Sequence, residues 1–238
     1  MGPEGREFES LRQDQFEGSY NLSYENLLEV RDIDILGETN WTWVKSDKGA
    51  FGSAGDGPMR DWISGHSTKY FSHVKKFDTV ITAGANCGMY VRFYAKKFKY
   101  VYAFEPNPLS FHCMVMNNQY DNVVKLNAAL GSVPGLVDLD RKDLGNIGTH
   151  KIKKESGVLK IPTITIDSLS LESCDLIQLD VEGYESNVVE GAMHTIMRFK
   201  PIIIAENFSS DEARKLMSNM NYEYIESSFS DSIYKPIE

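Results

Sequence analysis

The stretch Asp78-Thr-Val-Ile-Thr-Ala-Gly-Ala-Asn-Cys-Gly88 decides the fold of this chain. Its apolar run from Val80 to Ala83 is typical of a short buried strand, and the helical pattern after the glycine turn carries Met89, Phe93 and Tyr94. A strand, a glycine turn and a helix in this order place free backbone N–H groups and a positive helix end at the carboxyl edge of a sheet. We expect glycine to be required there because a side chain would block the close approach of a ligand.

A second apolar run, Tyr100 to Phe104, ends at Glu105. An acid at the tip of the second strand suits the two hydroxyls of a ribose, so the two segments together predict a nucleoside-binding half-site. A dinucleotide fingerprint that starts at Gly84 would need glycine at the positions of Asn86 and Met89, which makes NAD or FAD the weaker interpretation. A Walker phosphate loop is absent, since no Gly-Lys-Ser/Thr follows the turn.

Composition and charge narrow the class of protein. The chain has 238 residues, a length that fits one domain of generous size, and 25 Lys plus Arg against 34 Asp plus Glu give a formal charge of −9. Such acidity argues against a nucleic-acid partner. The three scattered cysteines, Cys87, Cys113 and Cys174, suggest a reducing compartment and no zinc site. Without a signal-like or membrane-spanning apolar run, we expect a soluble cytoplasmic protein.

The order of patterns along the chain predicts an α/β protein. We expect an N-terminal arm and extension over residues 1–58, and a ligand-binding domain over residues 59–238. In the extension, Trp41 and Trp43 share one face of a strand, which favours core packing and leaves a substrate-stacking platform as the alternative. Strands and helices then alternate, so we expect a mostly parallel sheet with helices on both faces and with its strand tips converging on a ligand.

Five segments in a consistent order resemble the FkbM-type family of S-adenosylmethionine-dependent methyltransferases. They are Asp78–Gly88, Val101–Pro108, Asn127–Gly131, Asp175–Gly183 and Pro201–Glu206. The resemblance implies a Rossmann-like class I methyltransferase fold, with a mostly parallel seven-stranded sheet whose last strand is antiparallel. It also implies S-adenosyl-L-methionine as cofactor and O-methyl transfer, often to a sugar hydroxyl of a natural product or glycan.

The resemblance also assigns a set of cofactor-binding residues at the strand tips. They are Thr82, Gly84, Ala85, Asn86, Gly88, Glu105, Pro106, Asn107, Ala128 and Asp180. The chain departs from the family at one of these positions, because Thr82 stands where the family usually has an acid that helps to hold the methionine end of the cofactor.

Methyl transfer to a hydroxyl requires a base that accepts the hydroxyl proton. The candidates are Asp180, Glu182 and Glu206 at strand tips and His150 in a glycine-containing loop. Asp180 is the preferred base. The alternative for Asp180 and Glu182 is stabilisation of a helix dipole, and for His150 an ordinary surface position. Asp180, Glu206 and Asn207 also resemble the oxygen ligands of metal-dependent catechol-type methyltransferases, although we expect a site without metal.

Other functional classes remain open. A cofactor-binding protein without catalysis is one, and N-methylation of another acceptor is a second. A nucleic-acid adenine methyltransferase is disfavoured by the acidity and by the lack of an Asn/Asp-Pro-Pro-aromatic motif. We therefore expect a small-molecule or glycan acceptor, with no nucleic-acid or membrane partner, and leave open a homodimer.

Overall fold

The computed structural model describes residues 24–35, 37–47, 65, 68–140, 151–153, 159–228 and 230–237. The strands, in chain order, are β1 (Leu28–Arg31), β2 (Trp41–Val44), β3 (Thr79–Ala83), β4 (Tyr100–Phe104), β5 (Val123–Leu126), β6 (Ala129–Leu130), β7 (Gly135–Asp140), β8 (Lys151–Lys153), β9 (Lys160–Ile164), β10 (Leu176–Leu179), β11 (Ile202–Glu206), β12 (Tyr222–Ser228) and β13 (Asp231–Pro236). The helices are α1 (Tyr24–Leu27), α2 (Met89–Ala95), α3 (Pro108–Asn117), α4 (Glu185–Glu190), α5 (Met193–Phe199) and α6 (Asp211–Asn219), together with helical residues 68–73 and a 3-10 turn over Ile166–Leu169. Across these ranges no helix is long and apolar enough to cross a membrane.

The central sheet has seven strands in the order β12-β13-β11-β10-β3-β4-β5. Strands β3, β4, β5, β10 and β11 are parallel, and β13 runs antiparallel to both of its neighbours, β11 and β12. This order is that of the class I methyltransferase fold, so the fold implied by the sequence resemblance is confirmed. Two apolar cores cover the two faces of the sheet, one centred on Ile81 and Leu179 and the other on Val80 and Ile204.

The sequence predicts one strand over residues 122–130, and this prediction is wrong. The strand is divided into β5 and β6, and β6 joins a separate four-stranded sheet in the order β6-β9-β7-β8. The break lies at Asn127, whose side-chain amide donates to the Glu105 carbonyl at 2.8 Å and to the Pro106 carbonyl at 3.1 Å. These bonds hold the chain at the tip of β4, and the next residues leave the main sheet.

The N-terminal segment forms a hairpin of β1 and β2. The predicted strand over Trp41–Val44 is confirmed. The sequence also predicts a short helix that carries Leu27, Leu28 and Val30, but α1 ends at Leu27, and Leu28 and Val30 belong to β1. Trp41 and Trp43 are 1% and 2% exposed, so both are core residues and the alternative of a substrate-stacking platform is wrong.

Gly84 allows the turn after β3 to pass over the end of β10. Its φ of +76° lies in the left-handed region, and a Cβ at this position would come within 1.7 Å of the Asp180 carbonyl oxygen. No such contact is sterically allowed, so the turn could not occupy this position with any other residue. The protein backbone itself therefore requires glycine here, independently of the ligand approach expected from sequence.

We expect Gly84→Ala to destabilise the protein by more than about 4 kcal/mol, a loss that disruption of buried structure produces. Gly37→Ala is the matched control, because Gly37 has a similar φ of +81° and open space around its Cβ position. Its free energy of unfolding should fall only by the cost of the left-handed conformation for a residue with a Cβ, about 1–2 kcal/mol. Urea unfolding measures both, and equal losses would contradict the steric argument.

Candidate active site at the carboxyl edge of the sheet

The tips of the central parallel strands converge at one edge of the sheet. The Asp180 amide donates to the Ala83 carbonyl at 3.0 Å, which joins the ends of β10 and β3. The amides of Gly84 and Ala85 both donate to the Phe104 carbonyl at 3.0 Å, which joins the turn to the end of β4. The turn between β3 and α2 is thus fixed to both neighbouring strands.

Glu105 follows β4 at this edge and is 6% exposed. Its two oxygens accept hydrogen bonds from the amides of Asn86 and Asn107, each at 2.7 Å. Burial raises the pKa of Glu105 to about 7, and the two backbone N–H groups oppose that rise. Each carboxylate oxygen accepts more than one hydrogen bond, so this group can still receive two hydroxyl donors.

Four N–H groups of the turn are bound within the protein, so these four are not the free groups expected from sequence. The amides of Gly84, Ala85 and Asn86 are bound to the acceptors named above, and the Gly88 amide donates to the Ala85 carbonyl at 2.9 Å. A pyrophosphate would need such groups as donors. Their engagement agrees with the missing dinucleotide glycines.

Two further residues of the turn have distinct surroundings. The side-chain oxygen of Asn86 is buried and has no hydrogen-bond partner among the described residues. Gly88 precedes α2 with a φ of +84°, and a Cβ there would lie 2.3 Å from the Asn118 side-chain nitrogen and 2.8 Å from Cγ of Met114. Gly88 therefore lets α2 and α3 approach each other, and the unpaired Asn86 oxygen offers an acceptor to a ligand.

The remaining residues assigned to the cofactor surround Glu105 or lie deeper. Asn107 caps α3 by accepting from the Leu109 amide at 3.0 Å, and Pro106 and Ala128 flank the Asn127 bridge. Thr82 is fully buried, and its hydroxyl donates to the Gln178 side chain across the β3–β10 pair. Thr82 thus contributes a neutral pair inside the sheet.

Three carboxylates meet at the tips of β10 and β11. Oxygens of Asp180, Glu182 and Glu206 all lie within 4.8 Å of one another. Burial raises the pKa of Asp180 well above its usual range, and the charge and hydrogen bond of Glu206 raise it further, followed by the charges of Glu182 and Glu185. Ser230 donates to Glu206 at 3.1 Å and orients that side chain.

These oxygens support two chemical roles. A carboxyl group whose pKa is raised can accept a proton near neutral pH. The same three residues are, within the described ranges, the group of acids close enough to share a divalent cation. They include Asp180 and Glu206 of the ligand set considered from sequence, with Glu182 as the third member in place of Asn207.

Glu185 is a site residue that sequence reasoning missed. It is 5% exposed, and its carboxylate accepts from the amides of Val181 at 3.3 Å and Gly183 at 3.2 Å. It therefore holds the loop that presents Glu182, whose φ of +56° is unusual for a residue with a side chain. A glutamate in the first turn of the helix after Gly183 was the available signal.

A tyrosine layer borders the acids from α2 and was also missed. Tyr90 stacks on Tyr94 and on Tyr70 with ring centroids 6.1 and 6.3 Å apart. Burial raises the pKa of Tyr90, and the charges of Tyr94 and Asp180 add to the rise, which places the Tyr90 hydroxyl in the field of Asp180. Tyr70 in turn donates to Asp231, whose pKa burial raises to about 7.

His150, proposed as a base from sequence, lies outside the described residues. The structure brings the other candidate bases, Asp180, Glu182 and Glu206, together. Glu105, the candidate for ribose binding, lies on the far side of the glycine turn. The site is therefore divided into a half around Glu105 and an acidic half around Asp180, with the Gly84 contact between them.

Comparison with known proteins finds a related sequence. The hexuronic acid methyltransferase AglP of Haloferax volcanii is 28% identical over 149 residues, which are 59% of this chain and 62% of that protein. The chain thus spans less than two thirds of that relative's length.

Two solved structures superpose on parts of this chain. An N2 G1207 methyltransferase of T. thermophilus 16S rRNA, solved with AdoMet and guanosine, superposes with a TM-score of 0.50 at 11% identity, covering 89% of this chain and 51% of that one. A methyltransferase FkbM from Methylobacillus flagellatus KT gives a TM-score of 0.49 at 15% identity, covering 67% of this chain and 43% of that chain.

The sequence pattern of the methyltransferase FkbM domain matches residues 83–224, a range that contains the glycine turn, Glu105 and the three clustered acids. This match covers more than half of the chain. The chain therefore belongs to the FkbM methyltransferase family.

Proposed function

We propose that this protein is an S-adenosylmethionine-dependent methyltransferase that methylates a hydroxyl of a small acceptor, a sugar or glycan in the first instance. The observation that carries the proposal is the buried Glu105 carboxylate, which is fixed at the tip of β4 and still has acceptor capacity for two ribose hydroxyls. Family membership supports the class of reaction.

The residues around Glu105 fit the cofactor. Glu105 would hold the ribose, and the unpaired Asn86 oxygen would accept a hydrogen bond from the same ligand. Pro106, Asn107 and Ala128 would border the nucleoside. The cofactor supplies, when bound, a methyl group on a positively charged sulfonium. The protein contributes the alignment of donor and acceptor, and in-line displacement depends strongly on that alignment.

Asp180 is the proposed base. It lies across the Gly84 contact from the ribose half of the site, and its raised pKa suits the acceptance of a hydroxyl proton near neutral pH. Glu206 and Glu182 would orient and electrostatically support it. We propose that no metal is obligatory, since burial and neighbouring acids already give Asp180 the basicity that the reaction needs.

The acceptor and the location are extensions of this proposal. The name of the Haloferax volcanii relative supports a sugar acceptor, and the formal charge of −9 argues against a nucleic acid. The three cysteines are free and buried, which supports a reducing compartment and hence the cytoplasm.

Calorimetric titration with S-adenosylhomocysteine and, separately, NADH tests the choice of cofactor. We expect S-adenosylhomocysteine to bind and NADH not to. Glu105→Ala should weaken S-adenosylhomocysteine binding at least about tenfold, because it removes hydrogen bonds to a charged group worth about 1.5–3 kcal/mol each. Binding of NADH without binding of S-adenosylhomocysteine would overturn the proposal.

Cofactor affinity should depend on pH through Glu105. Ribose hydroxyls donate to the carboxylate, so binding favours the ionised form of a group that titrates at about 7. Affinity is therefore full above pH 7 and falls as the pH drops below it, by up to about tenfold per pH unit. Titrations at pH 6 and pH 8 measure this loss. Glu105→Gln should bind weakly with little pH dependence, and an equal dependence in that variant would assign the effect to another group.

Turnover should depend on Asp180 far more than cofactor affinity does. Loss of a general base costs about 10²–10⁴-fold in rate, so Asp180→Asn should depress kcat by that factor at saturating cofactor. The assay uses labelled donor with a panel of neutral and acidic sugars, and Glu182→Gln serves as the neighbouring control with a smaller loss. A variant that keeps its turnover but loses cofactor binding would make Asp180 a binding residue. Activity abolished by EDTA and restored by magnesium would instead assign Asp180, Glu182 and Glu206 as metal ligands.

A further inference from the structure

The hairpin of β1 and β2 packs against the back of the glycine turn. Its buried side chains, Ile35, Trp41, Trp43 and Val44, share one apolar cluster with Cys87, Met89 and Cys113. Cys87 belongs to the turn itself, between Asn86, which binds Glu105, and Gly88, which precedes α2. The hairpin lies outside the residues that match the family, 83–224, yet it contacts the turn at which we place the cofactor.

Asn117 at the end of α3 joins these two segments. Its side-chain oxygen accepts from the Thr42 amide at 2.7 Å, and its side-chain nitrogen donates to the Thr42 carbonyl at 3.0 Å and to the Cys87 carbonyl at 2.8 Å. The side chain is 5% exposed and pairs with Thr42 as a neighbouring strand would. One amide group therefore fastens both the hairpin and the turn.

Arg92 holds Asn117 and the hairpin from a second direction. Its guanidinium lies over the Trp41 ring at 3.7 Å and donates to the Asn117 carbonyl at 3.0 and 2.6 Å. It also reaches the Thr39 carbonyl at 3.5 Å and the Glu38 carboxylate at 3.4 Å. A buried, bidentate and stacked arginine is a rigid connection, so the hairpin is fixed relative to α2 and α3.

We infer that Asn117 is a positioning residue for the cofactor and that the hairpin of β1 and β2 is part of the cofactor-binding unit. The Cys87 carbonyl is fixed by Asn117, and the Asn86 amide that donates to Glu105 lies two peptide groups before that carbonyl. A loss of this bond releases the turn on the side opposite Glu105, and the Asn86–Glu105 geometry that receives the ribose is lost with it. This inference rests on the proposed function.

Asn117→Asp tests the role of the two donated hydrogen bonds. The new side chain has the same shape and still accepts from Thr42, but it cannot donate to the Cys87 and Thr42 carbonyls. Asn122→Asp is the matched control, because Asn122 also donates twice, to the Ala95 and Phe98 carbonyls at 2.9 Å, at a place remote from the turn.

Calorimetry with S-adenosylhomocysteine is the readout, and thermal unfolding shows the loss of stability in each variant. We expect Asn117→Asp to raise Kd at least tenfold and KM for the donor in parallel, with kcat at saturation within threefold. Asn122→Asp should leave Kd within twofold at a comparable loss of Tm. A folded Asn117→Asp protein with unchanged Kd overturns the inference while the proposed function stands. A wild-type protein that does not bind overturns both.

Hydrogen exchange on the wild-type protein gives an independent test that does not depend on the folding of a variant. Coupling between two segments is reciprocal, so cofactor binding must stabilise the hairpin if the hairpin stabilises the cofactor turn. Saturating S-adenosylhomocysteine should slow amide exchange in residues 41–44 as well as 84–88, and leave β12 at the sheet edge unchanged. Protection of residues 84–88 alone would overturn the inference.

Discussion

The active-site edge depends on one close approach, that of the Gly84 backbone to the Asp180 carbonyl. A Cβ at Gly84 would lie 1.7 Å from that oxygen, so the two strand ends meet at a distance that only glycine permits. This contact lies between two groups to which we assign different roles. Glu105, on the β4 side, faces the turn, and Asp180, on the β10 side, begins the acidic cluster. A bisubstrate site needs such a junction, because donor and acceptor must meet in line.

The acidic half is electrostatically costly, and the fold compensates part of that cost. Asp180, Glu182 and Glu206 lie within 4.8 Å of one another, and Glu185 adds a fourth carboxylate. Backbone amides of Val181 and Gly183 neutralise part of the charge of Glu185, and Ser230 donates to Glu206. Burial and the acidic neighbours disfavour the charge of Asp180, which is the member that we propose as the base.

Features of this protein that depend on neighbouring residues could be predicted from the sequence, and features that depend on residues distant in the chain could not. The strand tips at Glu105 and Asp180 could be predicted because a buried strand, a turn and a helix leave a local pattern in the sequence. The role of Asn117 could not be predicted, because its side chain forms hydrogen bonds with Thr42 and Cys87, and such long-range pairing has no periodic signature in the sequence. The division of β5 from β6 was missed for the same reason, because it depends on the side chain of Asn127 and not on the apolar pattern.

The replacement of the usual family acid by Thr82 follows from the same electrostatics. Thr82 pairs with Gln178 on β10, two residues before Asp180, so a carboxylate at this position would add a buried charge near an acid whose ionisation is already disfavoured. The Thr82–Gln178 pair satisfies both side chains without charge. Carboxyl groups are present here at the tips of β10 and β11 instead, at Asp180 and Glu206, and a positively charged ligand group beside them would favour their ionised forms. A positively charged end of a ligand at this edge would therefore pair with carboxylates at the ends of β10 and β11, and not with one on β3.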